Sequence, residues 1–406
     1  MEVNIKTMYK FKEDKMNVPC YVWSRQGSIE QGAIDQIKNA SSLPFAFHHT
    51  SLMADAHQGY GVSIGSVVAL KDVVCPSMVG VDIGCGMCAV KTSLTEIDKE
   101  TLKKIMGEIR KAIPVGFNKH KEAQKGILTP KLFFEQSQPD TIFLKEYDNA
   151  ELSLGTLGGG NHFIEIQKGS DGYIWIMIHS GSRNLGKQVA DYYNKVAIEL
   201  NKKWFSNTQK ELNFLPVDSE EGQAYIREMS YCVEFALANR KLMMDKIKDI
   251  FQKTDMTRIG IPRLSIVFEP MINIAHNYAR LENHFGENVW VHRKGATLAT
   301  KNTIGIIPGS QGTKSYIVKG KGNPESFMSC SHGAGRKMGR NEAIKNLNLE
   351  EEIKRLDDMG VVHAIRGVKD LDEAPGSYKD IDIVMENQKD LVEILVELTP
   401  LAVIKG

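Results

Sequence analysis

The stretch Ser329-Cys330-Ser331-His332-Gly333-Ala334-Gly335-Arg336 sets one imidazole between small residues and a glycine turn, with no apolar periodicity to explain it as packing. Glycines let backbone N–H groups approach a ligand closely, and such turns form anion-binding concavities. Arg336 adds a planar guanidinium suited to phosphate. A neutral imidazole can attack a metal-polarised phosphorus and later leave, so His332 is the candidate nucleophile for covalent nucleotide transfer. More familiar nucleotide motifs are missing. The stretch Gly309-Ser310-Gln311-Gly312-Thr313-Lys314-Ser315 lacks the G-x-x-x-x-G-K spacing of a phosphate loop, and no Lys-x-Asp-Gly element is present.

Metal-ligand residue types recur at strand ends: Asp82, Cys85, His162, His179 and His276. A lone strand histidine is commonly a core residue, but each of these is bracketed by Gly, Asn, Ser or Arg. Asp82 and Cys85 stand three apart across a glycine, close enough to serve one cluster. Thiolate, imidazole and carboxylate together suggest one or two transition-metal sites, with zinc or iron before manganese on softness alone. Cys85-Gly86-Met87-Cys88 also spells C-x-x-C, but strand alternation turns Cys85 and Cys88 to opposite faces and the thioredoxin context is absent.

The elements that must position these residues follow the same order. A strand is predicted over Val18–Trp23, a helix over about 28–39, a strand at Pro44–Phe47 and then a polar run from Asp55 to Gly61. Further strands are predicted at Ser66–Leu70 and over Val79–Val90, the second interrupted by the Asp82–Gly86 turn. A helix covers Asp98–Ala112. Residues 118–150 read as a variable insertion. The loop Gly155–His162 feeds a strand at Phe163–Ile166, and Tyr173–Ile178 reads as a strand buried on both faces. Two long helices follow within about 185–252, then short strands and a last helix near Gln388–Leu398. No repeat or linker divides the chain. The expected architecture is one large mixed α/β (α+β) domain over 1–406, with central mixed sheets, flanking helices and glycine-rich site loops. It is neither Rossmann nor P-loop.

Composition is that of an ordinary globular chain, 42% apolar and 25% charged, and six Cys without an export signal predict free thiols in the cytoplasm. No apolar run is long enough to span a membrane. Net charge is +1, so a basic surface must be local. The segment Asn288–Pro324 holds no Asp or Glu but carries Arg293, Lys294, Lys301, Lys314, Lys319 and Lys321, a pattern suited to a polyphosphate or nucleic-acid backbone.

From about Pro44 to Gly406 the chain resembles the RtcB-type RNA-splicing ligases. The resemblance is carried by Asp55-Ala-His-Gln-Gly59, Gly80-Val-Asp-Ile-Gly-Cys-Gly-Met87, Gly155-Thr-Leu-Gly-Gly-Gly-Asn-His-Phe-Ile-Glu165 and His179-Ser-Gly-Ser-Arg183. It continues through His276-Asn-Tyr278, Arg293-Lys-Gly-Ala296, Ile306-Ile-Pro-Gly-Ser310, Ser329–Arg336, Tyr378-Lys-Asp-Ile-Asp382 and Lys405-Gly406. It implies guanylylation of His332 by GTP, and two Mn(II) ions held by Asp82, Cys85, His162, His179 and His276 with the thiolate bridging. GMP then passes to an RNA 3′-phosphate, and a 5′-hydroxyl end attacks the resulting RNA-ppG. A 2′,3′-cyclic phosphate is first opened at the same site.

The resemblance also implies a nucleotide site from Asn161, Glu165, His276, Asn277, Pro308, Gly309, Ser310, His332, Gly333, Ala334, Gly335, Tyr378 and Lys405, with Tyr378 stacked on guanine. Asp55, Arg183, Arg293, Lys294 and Arg336 are the candidate RNA or phosphate contacts. The expected partners are RNA ends and an activating protein, with the chain itself a monomer. Departures are small: Ala54-Asp55-Ala56-His57 stands where Pro-Asp-Val-His is usual, Ala275 replaces a common His, and Cys88 is extra. Two other readings compete. A metal-dependent cyclic phosphodiesterase would need neither the histidine nucleophile nor the platform Tyr378, and a non-catalytic RNA-binding module would not need five metal-ligand residues.

Overall fold

The computed structural model describes residues 8–124, 141–209, 211–257, 260–262 and 264–406. Two large sheets organise them. The first has seven strands in the order Ile272–Ala275, Gly86–Lys91, Ile174–Ser180, Phe163–Gly169, Val392–Lys405, Ser315–Gly320 and Ile304–Ile307, and every pairing in it is antiparallel. The second has six strands: Tyr9–Phe11, Cys20–Val22, Ala46–His57, Ile64–Leu70, Glu287–Lys294 and Asn277–His284. Its pair Cys20–Val22 with Ala46–His57 is the one parallel strand pair among the described residues. The fold is therefore mixed α+β: that pair, joined through helix Gln31–Ser41, makes a single βαβ unit at one side of the sheet, and neither large sheet is the parallel sheet of a Rossmann or P-loop fold. No described helix is long and apolar enough to cross a membrane.

Side-chain parity in the seven-stranded sheet decides where chemistry is placed. Alternate residues of a strand face opposite sides. Cys88, Val90, Ile164, Ile166, Ile174, Ile176, Ile178, Ala402 and Ile404 pack with helix residues Leu102, Ile105, Ile109, Met243, Met244 and Ile247 in one core. These helices are Lys99–Ala112, whose N-cap Asp98 accepts from two backbone N–H groups, and Glu220–Lys253, capped by Ser219. Met87, Ala89, Phe163, Trp175, Met177 and Val403 belong to a separate core on the other face. By the same parity Glu165, His179 and Lys405 lie on that second face, at the end of the sheet where Phe163 is paired with both His179 and Lys405. Strand Ile174–Ser180 is buried along its whole length, as expected for a strand covered on both faces, though the sheet is antiparallel.

The chain passes from one sheet to the other at His276. Ala275 pairs with Gly86 in the seven-stranded sheet, and Asn277 pairs with Lys294 in the six-stranded one. After Lys294, Gly295 turns the chain into Ala296–Leu298, whose only strand partner among the described residues is Ser329–Ser331. His332 is therefore delivered to the junction of the sheets, beside His276.

Three expectations need correction. The segment predicted as a helix near 388–398 belongs largely to strand Val392–Lys405, held between Ser315–Gly320 and Phe163–Gly169. Its β-branched Val392, Ile394 and Val396 suit a strand, and Pro400 is tolerated in the interior because the register shifts there. The strand expected over Val79–Val90 runs only from Gly86 to Lys91, so Asp82 and Cys85 precede it, while Asp55 and His57 of the polar run close the long strand Ala46–His57. The region 118–150 is described only outside 125–140. Within it the helix Ile142–Ser153 packs on Arg183–Lys203 through Phe143, Ala150, Leu185 and Val189.

Candidate active site

The five expected metal ligands come together. Cys85 Sγ lies 3.5 Å from His162 Nε2 and 3.3 Å from His179 Nε2. His179 Nε2 lies 3.4 Å from His276 Nε2, and His162 Nε2 lies 3.1 Å from Asp82 Oδ2. They form two donor triads that share the thiol, Asp82-Cys85-His162 and Cys85-His179-His276, with the donor atoms of each triad within 4.8 Å of one another. The tautomers are set from behind. His162 Nδ1 donates to Leu157 O at 2.9 Å, and His179 Nδ1 donates to Asn161 O at 3.0 Å. Both Nε2 lone pairs therefore point at the cluster, which is how a ligating imidazole is oriented.

Burial, with neighbouring imidazoles adding to it, holds His179 and His276 well below the usual histidine range, so both are neutral. Burial and then the Asp82 charge push the Cys85 thiol far up, so it becomes a thiolate only when a cation takes the proton's place. Cys88 lies in the helix-facing core, away from the cluster.

Glycine supplies clearance where bulk would break the site. A Cβ on Gly181 would collide with the Asp82 carboxylate, and one on Gly158 with the Arg183 guanidinium.

His332 occupies the neighbouring position. Its ring centroid is 4.8 Å from that of His276, and its Nδ1 lies 2.6 Å from Oδ2 of Asp55. Asp55 is fully buried, and the same Oδ2 accepts from the backbone N–H of His332 at 3.2 Å and of Gly333 at 3.3 Å. Burial pushes the Asp55 carboxyl up, but the His332 charge and hydrogen bonding outweigh it and leave it below the ordinary value. A cavity of about 560 Å³ opens over His332. Its wall includes Asn161, Pro308, Gly309, Ser310, Gly333, Ala334, Gly335, Tyr378 and Lys405, so most of the expected nucleotide residues surround one space.

Glu165 is buried on the same sheet face as Lys405, and burial pushes its carboxyl up to about 8 against the pull of Lys405. Lys405 is in turn lowered by burial. Asn277 differs from expectation. Its amide donates to Asp82 O at 3.0 Å and accepts from Gly295 N at 2.8 Å, so it ties the Asp82–Cys85 loop to the turn at Gly295, beside His332.

The five expected RNA contacts are engaged inside the protein. Asp55 is the partner of His332. Arg293 is fully buried against Glu282, Ser329 Oγ and Phe327 O. Lys294 donates to the carbonyls of Tyr60 and Ser77. Arg183, left-handed at φ 59°, stands behind His162 and donates to Thr156 Oγ1 and Gly116 O. Arg336 lines the cavity, but it donates to Glu373, Asp372 O and Met338 O. Most other cations of the acid-free segment are likewise engaged, with Lys301 left exposed. Lys314 pairs with Glu397 and Lys319 with Glu393, each at 2.7 Å, while Lys321 reaches Lys389 O.

Comparison with known proteins places this geometry. Residues 36–406 match the family described as tRNA-splicing ligase RtcB. The chain is 37% identical over 412 residues to the RNA-splicing ligase RtcB of Escherichia coli (strain K12), covering 96% of this chain and 98% of that one. It is 32% identical over 485 residues to the tRNA-splicing ligase RtcB of Nanoarchaeum equitans, with both chains covered in full. The protein of the same name from Thermococcus kodakarensis is 29% identical over 466 residues.

The chain belongs to the RtcB family of ligases.

Three supports of this RtcB-family site escape a reading of the sequence. Fully buried Arg240 donates to Gly84 O at 3.0 Å, Ser180 O at 2.8 Å and Asn273 Oδ1 at 2.7 Å, tying together the segments that carry Cys85, His179 and His276. In the sequence it is one more charge on a long helix. Glu373 gathers Arg336 at 2.8 Å, Arg340 at 2.7 Å and the Tyr378 hydroxyl. The spacing Arg336-x-x-x-Arg340 is the signal that could have revealed Arg340. His57 lies on the cavity wall, and its presence in the Asp55–Gly59 motif was the only cue.

Proposed function

We propose that this RtcB-family chain is a GTP- and Mn(II)-dependent RNA ligase. It joins RNA 3′-phosphate or 2′,3′-cyclic phosphate ends to 5′-hydroxyl ends through guanylylated His332 and an RNA-ppG end. The observation that carries the reading is His332 held by a buried carboxylate beside a two-triad donor cluster.

The donor set fits two cations. Asp82, Cys85 and His162 would hold one, and Cys85, His179 and His276 the other, with neutral imidazoles and a displaceable thiol proton. Mn(II) bound there would supply Lewis acidity and neutralise charge on phosphate oxygens. The thiolate by itself favours zinc or iron, and the choice of manganese rests on the family resemblance.

With Nδ1 against Asp55, the Nε2 lone pair of His332 is the one directed to substrate. It attacks the α-phosphorus of GTP, an N–P bond forms, and pyrophosphate departs with the electron pair of the broken bond. Asp55 stabilises the positive charge that develops on the ring, as the buried acid of a hydrolase triad does. An oxygen of the RNA 3′-phosphate then attacks the same phosphorus and His332 leaves as neutral imidazole. The 5′-hydroxyl oxygen finally attacks the RNA phosphorus and GMP departs. Tyr378 would stack on guanine, Asn161 would hold phosphate, and Lys405 with Glu165 would hold the nucleoside.

The test is a joining assay with one RNA ending in 3′-phosphate and another beginning with 5′-hydroxyl, in GTP and Mn(II). A phosphatase-resistant joined product from wild type and none from His332→Ala is expected. Opening of cyclic ends without any joining would favour a phosphodiesterase instead.

A further inference from the structure

We propose that His57 is the catalytic base of the sealing step, with its Nε2 taking the proton of the incoming 5′-hydroxyl. The inference rests on the ligase reading above and adds a residue to it. His57 ends the strand Ala46–His57, two residues after Asp55, so both side chains stand on the strand face that meets His332. Its Nδ1 lies 3.1 Å from Asp55 O. A carbonyl only accepts, so Nδ1 carries the hydrogen and Nε2 keeps its lone pair. Nε2 has no hydrogen-bond partner among the described residues. Burial lowers the ring to about 4, which keeps it neutral near pH 7.

Position separates His57 from the other acceptors. It lies on the wall between the cavity over His332 and a second cavity of about 720 Å³ that carries Arg25 and Lys379. Glu30, Arg336 and Lys337 share that wall. In-line displacement puts the attacking and leaving oxygens on opposite sides of phosphorus. With guanylate in the first cavity, the incoming strand enters from the second and passes His57. Two competing acceptors are occupied, Glu373 by Arg336, Arg340 and Tyr378, and Asp55 by His332, while Glu30 on the shared wall holds the backbone N–H of Gln58 through Oε1. His332 itself faces the guanylate it has released. In the step, the hydroxyl oxygen forms the new O–P bond and its proton passes to His57 Nε2. The P–O bond to GMP breaks with its electron pair leaving on GMP, and water later takes the proton from the imidazolium.

The test uses chemically prepared RNA-ppG mixed with 5′-hydroxyl RNA and the full-length chain in a single turnover. In His57→Ala and His57→Gln, sealing is expected to fall about 10²- to 10⁴-fold, the usual worth of a general base. GMP uptake by His332 and formation of RNA-ppG should fall much less than sealing, so RNA-ppG accumulates. Added imidazole should restore sealing to His57→Ala and leave the earlier steps unchanged. Undiminished sealing, or an equal loss in all three steps without rescue, overturns the proposal. A wild-type chain that seals supplied RNA-ppG yet takes up no GMP contradicts the guanylylation reading and still leaves the role of His57 measurable.

Discussion

His332 Nδ1 lies 2.6 Å from Oδ2 of Asp55, a carboxylate with no exposure to solvent. In the proposed mechanism this contact would leave Nε2 to face substrate and would supply the charge that a ring bonded to phosphorus needs. Asp55→Asn preserves shape and removes charge. Transfer of GMP to His332 is expected to drop about 10⁴-fold, by analogy with removal of the buried acid in a hydrolase triad. Metal content, measured by atomic emission on the purified variant, should not change, because Asp55 belongs to neither donor triad.

Cys85 is the donor common to both triads, whereas Cys88 packs among Val90, Ile164 and Met244. Cys85→Ser is expected to lower metal content at both positions and abolish nucleotide transfer. Cys88→Ser should retain the metal. Full metal occupancy in Cys85→Ser would remove the bridging role.

Tyr378 bonds Glu373 through its hydroxyl and has the Arg336 guanidinium 5.3 Å from its ring centre. Base stacking is worth about 1–3 kcal/mol, so Tyr378→Ala is expected to raise the GTP requirement about 5- to 150-fold. The hydroxyl has its own partner, so Tyr378→Phe should cost up to about tenfold, as loss of one hydrogen bond does. Unchanged GTP titrations in the alanine variant would move guanine elsewhere.

Glu165 gives a pH test of the buried face. Its folded-state carboxyl is raised from 4.5 to about 8 by burial, so the folded state binds the extra proton. Such a group contributes stability that is fully present below its unfolded value and lost as pH rises through about 8. Glu165→Gln mimics the protonated form and removes this dependence. The melting-temperature advantage of Glu165→Gln over wild type is therefore expected to be small at pH 5 and larger at pH 8. A gap that narrows with rising pH would show that Lys405 dominates the pair.

Local pattern made much of this site legible. The glycine-bracketed ligands Asp82, Cys85, His162, His179 and His276 converge as their residue types suggested, and parity along one strand was enough to separate Cys85 from Cys88. The helix expected over Asp98–Ala112 is present as Lys99–Ala112, with Asp98 as its cap. What was not legible depends on partners distant in sequence. Asp55 and His332 are 277 positions apart, so nothing local to either showed that this acid, placed among the RNA contacts by the resemblance, is buried against His332. Arg293 and Lys294 read as an open cationic face because Glu282 and the carbonyls of Tyr60 and Ser77 that receive them come from other strands and loops. The helix expected near Gln388–Leu398 gives way to strand Val392–Lys405, because pairing with distant strands on both edges decides its conformation.

The central claim is that His332 carries GMP. Incubation with α-labelled GTP and Mn(II), followed by denaturation and mass analysis, reads it directly. One GMP per chain is expected on His332, through a phosphoramidate that is lost in acid and survives alkali. Adding RNA with a 3′-phosphate should move the label to that end without any 5′-hydroxyl partner. His332→Ala should bind metal and remain unlabelled. A wild-type chain that opens cyclic phosphates but never takes up label, or a label that persists in His332→Ala, would contradict the account.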